Sequence, residues 1–149
     1  MQATLRTTLA LLVGIAVTFL TISAVEQLNH LLYPLPAGLD WQDSSAVAAH
    51  LRALPVPALL LVLAGWSLGI LTGMSVATAI AGRPRGRFAL ACGSLVTVGA
   101  VANFYLLPHP QWLVWLSLLV LPLLTVLGWR LLRLRYLRLL QAKRNEHHE

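Results

Sequence analysis

Apolar side chains run almost without interruption through four stretches, residues 7–25, 56–81, 88–107 and 112–129, and none of them contains Asp, Glu, Lys, Arg or His. An α-helix needs roughly 20 residues to cross a hydrocarbon core of about 30 Å. The pattern predicts an all-α membrane protein: four transmembrane helices in a compact bundle, forming one integral domain over residues 1–149. A polar, Pro-containing loop at 26–55 separates the first two runs, and a basic helix at 130–144 follows the fourth.

The loop has its own pattern. The first helix is expected to continue past the lipid through Glu26, Leu28, His30 and Leu32, until Tyr33-Pro34-Leu35-Pro36 forces an extended strip. Asp40 or Asp43 can then cap a short outer amphipathic helix from Ser44 to Leu54, with Val47, Leu51 and Leu54 sharing a face. Pro122 falls inside the fourth run, where a missing amide donor predicts a kink. Trp41, Tyr105, Trp112 and Trp129 sit where rings with one polar edge mark the membrane interfaces.

Small residues add a second periodicity. Gly65, Gly69, Gly73, Ala77 and Ala81 recur every four residues in the second run. In lipid, helices associate through close packing, which Gly and Ala permit where Leu would hold backbones apart. Four residues turn a helix by about 400°, so this stripe drifts by about 40° per step and is expected to need two neighbouring helices. Ala10, Gly14 and Thr18 in the first run and Ala89, Gly93 and Thr97 in the third are the matching surfaces. The leucine-rich fourth run has no such stripe and is expected at the periphery, facing lipid. A homo-oligomer built on the glycine groove is the competing use of it. Asn103 is expected to make an interhelical hydrogen bond.

Charge orients the chain. Of its 11 Lys and Arg residues, ten fall on one side: Arg6, Arg83, Arg85, Arg87, Arg130, Arg133, Arg135, Arg138, Lys143 and Arg144; Arg52 alone lies on the other. Basic residues flanking spans are retained in the cytoplasm, so both termini are predicted inside and 26–55 outside. The first run could also be a cleaved leader, but its length and the bulky Ile22 before a potential cut favour a retained anchor. The net charge of +6 is in the first place this topology signal. Arg130, Arg133, Arg135 and Arg138 are candidate contacts for anionic lipid headgroups on the cytoplasmic side. No motif points to nucleic acid as a partner.

Candidate chemistry is sparse. Proton-coupled transport and intramembrane metal chemistry need ionisable groups at depth, and the spans have none. The ionisable residues outside are Glu26, His30, Asp40, Asp43, His50 and His109. Glu26 and His30, four apart on a continuing helix, share a face and could pair for proton transfer or bind a metal. No HExxH, nucleophile elbow or phosphate-binding glycine loop accompanies them. No cofactor or metal is expected. The single cysteine, Cys92, lies within the third run, and His147 and His148 look like part of a frayed end.

The run LNHLLYPLPAGLDWQDSSAVAAHLRALP and the glycine-rich span after it resemble small bacterial inner-membrane proteins of unassigned function that carry a Tyr-Pro-x-Pro-x-Gly-x-Asp outer strip. The resemblance covers residues 25–82 and implies a bacterial envelope setting without a catalytic activity. The expected function is therefore a helix-packing, accessory or assembly subunit, joined to a second copy or to another membrane protein. The alternatives are a carrier or pore for a neutral or lipidic substrate, and a membrane enzyme or metal site using the outer cluster.

Overall fold

The computed structural model describes residues 2–146 other than Leu35, Ala37, Trp41 and Arg85. The expectations for Trp41, Arg85, His147 and His148 lie outside the described residues. Five helices follow one another: α1 (Gln2–Leu32), α2 (Ser44–Ala53), α3 (Val56–Ala81), α4 (Gly86–Leu106) and α5 (Gln111–Glu146). Four of them, α1, α3, α4 and α5, are long and apolar enough to cross a membrane. The protein is a multi-pass, all-α membrane protein with one short extramembrane helix.

Local chemistry sets the helix ends. α1 stops at Leu32, ahead of the Pro34 that disfavours a helical residue before it. Asp43, rather than Asp40, caps α2: its carboxylate accepts from the Ser45 and Ala46 amides at 2.8 and 3.2 Å. α3 opens with proline near its first position and ends at Gly82, whose φ of 73° lies in the left-handed region. The Gly82 amide donates to the Thr78 and Ala79 carbonyls. Arg6 reaches this terminus from α1, donating from Nε to the Ile80 carbonyl at 2.6 Å. The exposed carbonyls there carry partial negative charge, so a cation is favoured.

α3 is the centre, packed against α1, α4 and α5. The glycine stripe has the two expected neighbours, with α1 reaching further than expected: α1 covers it from Gly65 to Ala77, and Phe88 of α4 joins at Ala77 and Ala81. A Cβ on Gly65 would meet Val25, on Gly69 Ile22 and the Thr18 carbonyl, and on Gly73 Thr18 and the Gly14 carbonyl; one on Gly14 would meet Ala77. α1 follows the stripe that far because it has its own four-residue repeat, with Ala10, Gly14, Thr18 and Ile22 all buried. The two stripes drift in the same sense, and the helices meet step by step from Val25 against Gly65 to Gly14 against Ala77. α4 joins at the end nearest the arginines, where Phe88 packs with Ala10 and Ala77, and Ala81 lies against them.

Two expectations are corrected. Gly93 serves α5 instead of α3, because a Cβ there would run into the Thr125 side chain. α5 is not peripheral: Leu113, Ser117, Leu121 and Thr125, four apart, are buried. Gly128 continues the row, and a Cβ on it would meet Leu71 and Met74 of α3 at 2.9 Å. This stripe alternates large and small residues, which suits close packing but does not show as a run of glycines. Pro122 lies within the continuous α5 helix on an exposed side.

Most hydroxyls in the bundle donate to the preceding turn of their own helix, as Thr18 does to Gly14, Ser75 to Leu71, Thr97 to Gly93 and Thr125 to Leu121. Thr21 and Thr72 also pair across α1 and α3 at 2.9 Å.

Candidate functional site

Among the described residues, the candidate Glu, Asp and His side chains do not gather into a metal-binding group. Asp43 is committed to capping α2. The Ser45 hydroxyl, at 2.6 Å, and then the two capping amides hold its carboxyl below the ordinary range. Asp40 accepts from the Gln42 amide at 2.8 Å, closing a local turn. His109 stacks edge-on to Phe104 with ring centroids 5.2 Å apart, and its Nδ1 lies 2.9 Å from the Leu107 carbonyl. With Arg52, Gln111 and Trp112 it lines a polar recess of about 580 Å³ that none of the candidate carboxylates enters. Glu26 and His30 are exposed along α1, and His50 is half-buried on α2. Among the described residues no three His, Cys, Asp or Glu side chains are grouped so as to hold a metal.

A different feature emerges between α1 and α4. These helices approach each other over α3 without closing, leaving a lateral groove of about 430 Å³. Its floor includes the buried side chains of Ile22, Trp66, Val96 and Ala100. Trp66 is held there by Phe104, edge-on at 5.5 Å. Phe19 and Leu95 form the end of the rim nearer the arginines; Ser23 and Glu26 of α1 face Asn103 of α4 at the other end. A Cβ on Gly99 would meet nothing within 4 Å, so this glycine keeps the α4 wall low without serving any helix contact. The interhelical hydrogen bond expected of Asn103 is absent among the described residues; its side chain borders the groove instead. The partial signal in the sequence is that Gly99 and Ala102 lie outside the Ala89, Gly93 and Thr97 row.

The opposite end is basic. Arg83 and Arg87 border a recess of about 320 Å³ with Ala3, Thr4, Thr7 and Thr8 of α1. Arg87 lies over the Phe88 ring at 5.8 Å and Arg133 over the Trp129 ring at 5.9 Å, which holds both guanidinium groups beside aromatic faces. Arg130, Arg133, Arg135 and Arg138 are all exposed.

No protein-family model matches the chain, and no match was found among curated proteins or solved structures.

Proposed function

We propose that this protein is a non-enzymatic accessory subunit of a bacterial inner membrane, with both termini cytoplasmic, and that the basic end of α5 engages a partner protein. The observation that carries this reading is the length of α5. Its 36 residues extend about 54 Å at 1.5 Å per residue, against a hydrocarbon core of about 30 Å. Beyond Trp129 the helix continues with Leu131, Leu134, Leu137, Leu139 and Leu140 all exposed between arginines.

At 100° per residue these five leucines spread around more than half of the helix circumference. A flat membrane surface covers one side of such a rod and leaves leucines in water on the other, where a protein can bury them. The glycine stripe of α3 supports the same choice, since α1 already occupies it and leaves no small-residue groove there for self-association. The scatter of Glu26, His30, Asp40, Asp43, His50 and His109 supports a role without acid–base or metal chemistry.

The test compares the full chain with one ending at Leu132, in native membranes, with photo-crosslinkers at Leu134 and Leu137. The full chain should migrate as a larger complex and cross-link to protein, and the shortened chain should insert yet lose the complex. Identical migration of the two chains, with cross-links to lipid alone, would refute the reading.

A further inference from the structure

We propose that the groove between α1 and α4 is a binding site for a phospholipid with a protonated primary-amine headgroup, one acyl chain lying along the groove and the amine meeting Glu26. This is independent of the role given to α5.

The shape selects the class of occupant. From Phe19 to Glu26 the α1 wall spans seven residue steps, about 10 Å at 1.5 Å each. The groove is open along its side, and a single acyl chain is much thinner than a helix about 10 Å across. A hydrocarbon chain is thin enough to lie along it between the two walls. The groove opens sideways between exposed Phe19, Leu95 and Val98, so a lipid reaches it from the bilayer without passing through water.

The chain alone gives no selectivity, because lipid tails are as apolar as the groove wall and exchanging one for the other changes little. Recognition must reside at the polar end. Both α1 and α4 run away from the arginine-rich end, so Ser23, Glu26 and Asn103 meet at the same level, above Phe19 and Leu95. No Lys, Arg or His lines the groove, and Glu26 has no ion pair among the described residues. An unneutralised carboxylate at headgroup depth attracts a cation. The Asn103 amide, which makes no hydrogen bond among the described residues, offers donors to the adjoining phosphate or ester oxygens. A primary ammonium can donate hydrogen bonds to Glu26, and the quaternary ammonium of choline cannot.

The experiment uses the full chain in vesicles of mixed phosphatidylethanolamine and phosphatidylcholine, each supplied in turn with a photoreactive group in mid-chain. Adducts should map to residues 19–26 and 95–103, with ethanolamine lipid favoured about 2- to 5-fold, the range expected of a partly exposed ion pair. E26Q should bring the two lipids to equal labelling. G99F should suppress labelling by both, since its ring fills the groove where an added Cβ meets nothing; A102L, on the same wall, serves if G99F fails to insert, and L123F on exposed α5 is the control. Equal labelling by both lipids in the unaltered protein would overturn the proposal, as would adducts that survive G99F and A102L. Cross-linking of groove residues to another protein's helix in native membranes would replace the lipid by a subunit.

Discussion

Replacing Gly73 by alanine is the sharpest test of the α1–α3 contact. The added methyl would meet the Thr18 side chain and lie 2.6 Å from the Gly14 carbonyl oxygen. Ordinary contact begins at 3.4 Å, so the helices must part by 3.4 − 2.6 = 0.8 Å at that point. A gap of that size forfeits about a quarter to a half of each dispersion well along the seam. Overpacking of this kind costs about 3 kcal/mol at the upper end of its usual range. The better helix propensity of alanine returns about 1 kcal/mol, leaving a net loss of about 2 kcal/mol. The single cysteine provides the assay. Cys92 is fully buried on α4, so its alkylation requires the bundle to open. In the regime where closing outpaces labelling, G73A should raise the rate by about 30-fold. G99A, with nothing within 4 Å of its new methyl, should label at or below the original rate. Equal rates for G73A and G99A would refute the close backbone contact.

The second glycine contact has the opposite logic: the three atoms nearest a Cβ on Gly93 all belong to the Thr125 side chain, so T125A should recover much of the protection lost in G93A. The α2 cap should respond to pH. Asp43 has a depressed carboxyl pKa in the folded state, so its contribution is present above the unfolded carboxyl value and is lost as pH falls through the lower folded value. Hydrogen exchange at the Ser45 and Ala46 amides should accelerate across that acidic window, and D43A should abolish the dependence. Sidedness is checked with single cysteines in a C92A background. Arg83→Cys should label only from the cytoplasm and Gln111→Cys only from outside, and the reverse pattern would overturn the orientation proposed from charge.

Apolar run length and the exclusion of charge from the spans are enough to specify four crossing helices, because a backbone in hydrocarbon must satisfy its own hydrogen bonds and the helix does so locally. The stop at Leu32 and an aspartate cap before Ser44 are legible for the same reason, since proline sterics and a short carboxylate act within a few residues, but the choice of Asp43 over Asp40 is settled only by the structure. The close packing at Gly65, Gly69 and Gly73 was legible too, since the repeat is written in one helix. Which helix fills that repeat was decided only in three dimensions, by Ala10, Gly14, Thr18 and Ile22 drifting in step with it. The same holds for Gly93, which faces Thr125, and for α5, whose buried Leu113, Ser117, Leu121 and Thr125 row looks like ordinary leucine-rich sequence. The α1–α4 groove is the extreme case. It exists because two helices packed on α3 fail to meet, and a void is a property of the distance between elements, which no local pattern encodes.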